Sequence, residues 1–322
     1  MSRAKKIWLI TAASLLLLGG VIFVSVMAAL NWDFLKLSTD KFETNSYEIN
    51  EKFISISIKT DTADIKIVPS ATEKVLVECY ELKNAKHAVS VKEGWLYVEV
   101  VDTRKWYEHI GINTGSPKIT VYIPEGKYNW LSIKSDTGAV EVPKDFRFNN
   151  IEITESTGDV TCFASVSRTL KIKTATGGIR VEDMSARTLN LSVSTGAVTV
   201  SNVACEEHAT INVSTGRSNI TNMTCESFES LGSTGDISLK NVVATGSLSI
   251  KRDTGDVKFD GCDAAEISVV TDTGDIKGSL LSDKTFIAKS DTGRVNVPKS
   301  GAGGRCEITS DTGDIFISVV GN

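Results

Sequence analysis

The chain has 322 residues, 41% hydrophobic, 7% aromatic and 23% charged, a balance that supports a buried core and excludes a mainly disordered protein. Its 35 Lys and Arg against 40 Asp and Glu give a net charge of −5, and beyond Arg3, Lys5 and Lys6 the balance is 32 against 40. An acidic chain excludes nucleic acid as a partner, because phosphate neutralisation needs clustered cations; five prolines and six cysteines exclude collagen-like and disulfide-dense small-domain classes.

Residues 1–6 are a basic N-terminus, and residues 7–30 carry no charge from Ile7 to Leu30. A helix of about 20 such residues crosses a hydrocarbon core. The alternative is a cleaved signal peptide, for which Val26 and Ala28 offer a cleavage site, but its apolar stretch runs to only about 7–15 residues. Arg3, Lys5 and Lys6 stand on one side, while Asp33, Lys36 and Asp40 nearly cancel on the other. The positive-inside bias then predicts a single-pass anchor in the cell membrane, with the N-terminus cytoplasmic and the remainder extracytoplasmic. No Leu-Pro-x-Thr-Gly-type sorting signal follows at Val319-Val320-Gly321-Asn322, so the span is the only visible tether.

After a linker at 31–39, residues 40–134 read as a β-rich N-terminal cap. Strands are predicted over 53–58, 64–68, 74–80, 88–92, 95–101, 118–123 and 130–134, with Glu93-Gly94 as a hairpin turn. Asp61-Thr62-Ala63-Asp64 has the form of a degenerate first repeat turn, and Trp32, Trp95, Trp106 and Trp130 all fall before the first regular one.

From 135 to 322 a Thr-Gly turn recurs, with glycines at Gly138, Gly158, Gly177, Gly196, Gly216, Gly235, Gly255, Gly274, Gly293 and Gly313, always 19 or 20 residues apart. A fixed period of this length means stacked units, none able to bury its apolar face alone. Apolar residues two and four after the glycine, as in Val198/Val200 and Ile237/Leu239, and before the next turn, as in Leu189/Leu191/Val193, alternate as strands do. The predicted fold is all-β: a parallel β-solenoid of about ten coils, each about 4.8 Å from the next. Glycine accepts the positive φ of the turn, and stacked threonines form a ladder. The Leu-x-x-Leu-x-Leu motif and Asn ladder of a leucine-rich repeat are not apparent, and a propeller blade is about twice as long. Arg217-Ser218-Asn219-Ile220 lacks the first inward residue, and Phe228 and Leu231 fall out of spacing, which predicts a kink or bulge there.

The strand-rich lead-in, Val121-Tyr122-Ile123-Pro124-Glu125-Gly126 before the first regular coil, and the ten Thr-Gly turns resemble a bacterial domain-of-unknown-function family, known as "putative adhesin", over about residues 40–322. One span plus this domain is similar to membrane-anchored members near Gram-positive envelope-stress systems. The resemblance implies a β-solenoid and an adhesin-like or accessory role at the cell envelope; it implies no enzymatic activity.

Asp-Thr-Gly is also the triplet of aspartic proteases, where two carboxylates share one proton. Here Asp136, Asp253, Asp272, Asp291 and Asp311 repeat with the coils, which is turn chemistry rather than a dyad. In-register stacking places Asp253, Asp272, Asp291 and Asp311 in one column and Asp236, Asp256, Asp275 and Asp314 in another. Arg294 is expected between Asp275 and Asp314, and Arg217 beside Asp236. Such columns of like charge read as solvated turn carboxylates or, where they hold a cation, as calcium sites; no other cofactor is indicated. The candidate ligands are Asp253, Asp256, Asp272, Asp275, Asp291, Asp311 and Asp314.

Cys205 and Cys225 each lie nine after a glycine, which puts them in neighbouring coils within disulfide reach, with buried or free thiols as the alternative. Cys162, Cys262 and Cys306 are small core residues, and no Cys-x-x-Cys pair or nearby histidine gives cysteine a metal partner. His87, His109 and His208 are scattered, with structural or surface roles. The final coil, Asp314 to Val320, lacks a polar cap, so a free edge is expected there for self-association or for an envelope protein's strand. The best function class is a membrane-anchored binding or scaffold protein of the envelope; a solenoid enzyme acting on envelope polysaccharide and a structural spacer are the competing classes.

Overall fold

The computed structural model describes residues 2–33, 41–105, 115–299 and 301–320. Trp106, His109 and most of the 31–39 linker lie outside the described residues. Helix α1 (Arg3–Ala29) holds 27 residues, about 40 Å at 1.5 Å each, and is long and apolar enough to cross a membrane.

The strands follow in chain order. The first nine are β1 (Phe42–Ile49), β2 (Ser55–Lys59), β3 (Asp64–Pro69), β4 (Val75–Leu82), β5 (Ala85–Lys92), β6 (Trp95–Asp102), β7 (Lys118–Ile123), β8 (Gly126–Thr137) and β9 (Val140–Val142). The middle of the rod comprises β10 (Phe146–Thr157), β11 (Val160–Cys162), β12 (Ser165–Thr176), β13 (Ile179–Ala186), β14 (Thr188–Thr195), β15 (Val198–Cys205), β16 (His208–Thr215), β17 (Ser218–Cys225) and β18 (Ser227–Thr234). The far end comprises β19 (Ile237–Thr254), β20 (Val257–Thr273), β21 (Ile276–Leu280), β22 (Thr285–Thr292), β23 (Val295–Asn296), β24 (Arg305–Thr312) and β25 (Ile315–Val319).

One central coil shows how the sequence makes the fold. On β14, Leu189, Leu191 and Val193 alternate inward and are buried, while Thr195 faces out. The chain turns at Gly196, with φ 149°, and a Cβ there would stand 1.9 Å from the carbonyl oxygen of Gly177 in the coil below. Only glycine allows both the conformation and the approach. On β15, Val198 and Val200 point inward, Asn202 turns the strand with φ 53°, and Val203 and Cys205 complete the buried set. Each such side chain contributes about 1.5–3 kcal/mol when buried. Coils stack parallel and in register, with Leu191 on Ile211 and Val198 on Ser218, and one continuous core runs from Ile56 to Ile317.

A second corner escapes the sequence reading. Asp183, Asn202, Asn222 and Asn241 all have positive φ, and each asparagine donates its side-chain amide to the residue below at 2.8–2.9 Å. This is an Asx ladder over four successive coils, six residues after Gly177, Gly196, Gly216 and Gly235.

The kink expected after Gly216 is absent. Ser218 takes the inward position between Val198 and Ile237 without a shift of register, at the cost of a buried hydroxyl lacking a hydrogen-bond partner. Ser230 takes the inward place and Leu231 turns outward; the missing side chain at Gly232 leaves room for Arg252, whose Nη2 donates to Ser230 Oγ at 2.8 Å inside the core. Register shifts occur elsewhere, at Phe148/Asn150, Ala244/Ser247 and Phe259/Cys262.

Spatial order departs from chain order at both ends. The coil made by β2 and β3 lies between β6–β7 and β8–β9, all parallel, so residues 40–134 supply solenoid coils as well as a cap. The antiparallel part is β4, which pairs with β7 and β1, and β5, which pairs with β6. Glu93 and Gly94, with φ 50° and 77°, make the hairpin turn between β5 and β6. At the other end β24 lies between β20 and β22, and β25 between β21 and β23. The last coil in the sequence is therefore interior, and the free edge belongs to β22–β23, not to 314–320 as the sequence suggested. Gly303 and Gly304 let the chain thread back: a Cβ at either would stand 1.7 Å from a carbonyl oxygen, of Asp283 and Ala265 respectively.

Candidate functional site

The aspartate columns form as stacking requires, but in the threaded order. Thr273 pairs with Thr312 and Thr312 with Thr292, so the first column runs Asp253, Asp272, Asp311, Asp291, all exposed. Lys289 ion-pairs with Asp291 at 2.6 Å.

In the second column one carboxylate oxygen of each residue is used by the backbone. Oδ1 of Asp236 accepts from the amide of Asp256, Asp256 from Asp275, Asp275 from Asp314 and Asp314 from Arg294, at 2.7–3.1 Å. Asp314 thus sits directly on Asp275, and Arg294 lies beyond Asp314 rather than between the two. Bonding to Lys277 lowers the Asp275 carboxyl from its ordinary value, and the guanidinium of Arg294 does the same for Asp314. The column is a chain of side-chain caps, with Lys277 and Arg294 paired to Asp275 and Asp314 at its far end, and it brings no three carboxylates together; among the described residues the one group of three or more metal-capable side chains lies elsewhere.

Cys205 and Cys225 do occupy neighbouring coils, both buried and both free thiols. The Cys205 thiol is directed at the carbonyl oxygens of Arg187 and His208, each 3.4 Å away. Burial pushes the Cys225 thiol up to about 12, and the thiols of Cys162 and Cys306 likewise.

The group missed in the sequence is Cys79, Glu81 and His87, all buried in the antiparallel end. A lone Cys-x-Glu and a histidine six residues later carry no recognised spacing; the signal that could have found them is the short β4–β5 hairpin, which folds His87 back over Glu81. Glu81 Oε2 accepts from both the backbone amide and Nδ1 of His87 at 2.6 Å, and its Oε1 accepts from Asn45 Nδ2 at 2.7 Å. His87 Nε2 lies 2.9 Å from Thr60 Oγ1. Thr60, Asp61, His87, Arg104 and Pro117 line a small cleft of about 90 Å³ beside it. His208, by contrast, is exposed and bonds Ser227 Oγ at 2.6 Å.

The free edge of β22–β23 is the other distinct surface. Val295 is 42% exposed there, although its counterparts Val257 and Ile237 along the rod are buried, and Ile287, 48% exposed, puts an apolar side chain at an outward position that Glu307 and Ser268 hold in the coils beneath.

No curated protein matches the chain. Solved structures that it is similar to include a "putative adhesin" from Bacteroides fragilis (17% identity, 86% of this chain and 97% of that chain, TM-score 0.45) and another from Parabacteroides merdae (13%, 76% and 98%, 0.49). A "putative lipid binding protein" from Parabacteroides distasonis is similar over 75% of this chain and 95% of its own, at 20% identity and a TM-score of 0.48. Residues 53–213 and 206–322 match the family described as Toastrack DUF4097, which spans every coil of the solenoid. The chain belongs to the Toastrack DUF4097 family.

Proposed function

We propose that this chain is a membrane-anchored, extracytoplasmic binding or scaffold protein of the bacterial envelope, adhesin-like or accessory to an envelope-stress system. The observation that carries this reading is the free edge of β22–β23, at the end of the rod opposite β1, the strand that follows the anchor helix in sequence. An edge with unpaired backbone groups and exposed apolar side chains receives another strand. The ten Thr-Gly coils together with those of β2–β3 and β6–β7, stacked at about 4.8 Å, hold it roughly 50 Å from the antiparallel end. Lys289 and Asp291 put opposite charges on one strand, so a second copy pairing antiparallel is one occupant and an envelope protein's strand the other.

The experiment is photo-crosslinking in cells of the full-length protein with the reactive residue at 287, against a control at 173 in the middle of the rod. Position 287 is expected to capture the protein itself or a specific membrane protein. Equal, unspecific capture at the two positions overturns the reading.

A further inference from the structure

Cys79 and Glu81 are two apart on β4, so their side chains leave the same face of the strand, and both are completely buried. The turn at Lys83 and Asn84 reverses the chain, Leu82 pairs with Ala85, and His87 arrives over Glu81 at 4% exposure. The Cys79 sulfur, a Glu81 oxygen and a His87 ring nitrogen all lie within 4.8 Å of one another.

We propose that Cys79, Glu81 and His87 are the protein ligands of a zinc ion that fastens the β4–β5 hairpin to the solenoid. A thiolate, an imidazole and a carboxylate together select zinc over calcium or magnesium, which take oxygen ligands. Tetrahedral zinc with bonds of about 2.0–2.3 Å needs its ligand atoms about 3.3–3.8 Å apart, a separation that side-chain rotation reaches from the present positions. In the metal-bound form the ion takes the place of the Glu81–His87 hydrogen bond.

The surroundings are built as a zinc site's are. Ligating imidazoles place their second nitrogen on an oxygen acceptor, and ligating carboxylates are themselves hydrogen-bonded. Thr60 Oγ1 stands on His87 Nε2, and Asn45 Nδ2 holds Glu81 Oε1. Three protein ligands leave a fourth position for a water molecule. A Glu–His pair accounts for two of the three residues, and core packing accounts for the burial of the third but not for its sulfur lying within 4.8 Å of both.

The test uses the full-length protein in detergent, stripped with a chelator and titrated with Co²⁺ as a coloured surrogate and then with Zn²⁺. One Co²⁺ per chain is expected, with a thiolate-to-cobalt charge-transfer band and the visible bands of a tetrahedral ion, displaced by Zn²⁺. Cys79→Ala abolishes the charge-transfer band and His87→Gln weakens binding at least tenfold, while Cys262→Ala, at a buried thiol bonded only to carbonyl oxygens, leaves both unchanged. Absence of a thiolate band in the unsubstituted protein at saturating Co²⁺, or a band that survives Cys79→Ala, overturns the proposal. Should Cys79→Ala fail to fold, X-ray absorption of the unsubstituted zinc form decides: one sulfur neighbour with nitrogen and oxygen supports the site, and a sulfur-free shell overturns it.

Discussion

Both ends of the rod hold an early or late segment of the chain between two other coils: β2–β3 between β6–β7 and β8–β9, and β24–β25 between β21 and β23 on one face and β20 and β22 on the other. They are finished differently. At the N-terminal end antiparallel strands β1, β4 and β5 cover the stack and a buried polar cluster ties them down. At the C-terminal end β22–β23 is outermost with nothing over it among the described residues. Threading secures a terminal segment by giving it neighbours above and below, which resists fraying. It does not close the stack; something must still lie outermost, and here one end is covered and the other is left for an occupant.

The strongest way to break the comparison is to block one interlock. Gly313→Ala places a Cβ 2.0 Å from the Gly274 carbonyl oxygen at φ 154°, and is expected to cost about 3–4 kcal/mol from overpacking and backbone strain together. Gly138→Ala does the same at the N-terminal interlock, 2.1 Å from Ala63 O. Thermal unfolding followed by circular dichroism should show both variants melting well below the parent; a change under about 1 kcal/mol for Gly313→Ala would remove β24–β25 from the interior.

A second effect separates the interior of the rod from its ends. Burial raises the Glu155 carboxyl to about 7, with Ser135 and the Thr157 backbone opposing the rise only in part. The folded value lies above the unfolded one of about 4.5, so the neutral acid's contribution is fully present below pH 4.5 and is lost as pH rises to about 7. Glu155→Gln is expected to abolish that loss, raising stability by roughly 2–3 kcal/mol above pH 7 and little at pH 4. Denaturant titrations of parent and variant at the two pH values check it; a difference independent of pH contradicts the account.

Hydrogen exchange sharpens the comparison without mutation. Amides of β24, with neighbours on both sides, should exchange about 10-fold or more slowly than those of β22, although β22 precedes it in sequence. The reverse order would place β24–β25 at the edge. The smallest expected effect is that of Ile287→Lys, which should change stability by no more than about 0.5 kcal/mol while reducing self-association or partner capture. Sedimentation of the full-length protein in detergent, beside the crosslinking, distinguishes a surface role from a folding defect.

Much of this was legible in the sequence. The positions of Leu189, Leu191, Val198 and Val200 fix which faces are buried, the glycines fix the turns, and the threonine ladder follows from them. The Asx corner is regular over five successive coils, six residues after the turn glycine, but is hidden because Asp183, Asn202, Asn222, Asn241 and Gly261 are different residue types sharing one backbone conformation. The aspartate columns follow from the period; their bonding to the next coil's amide does not, because a charge pattern carries no information about which oxygen meets which donor. Cys79, Glu81 and His87 carry no joint signal in the sequence, since what joins them is a hairpin and not a spacing.

The sequence by itself determined the coil: a period of 19 or 20 residues with alternating apolar positions has one economical solution, and each coil's residues specify it locally. Only the tertiary structure decided which coil lies against which. Near-identical coils offer near-identical faces, so the register within a coil is strongly encoded while the order of coils is almost degenerate. The non-repeating pieces break that degeneracy: the antiparallel strands at one end, and at the other Gly303 and Gly304, whose missing side chains let the chain pass between two coils.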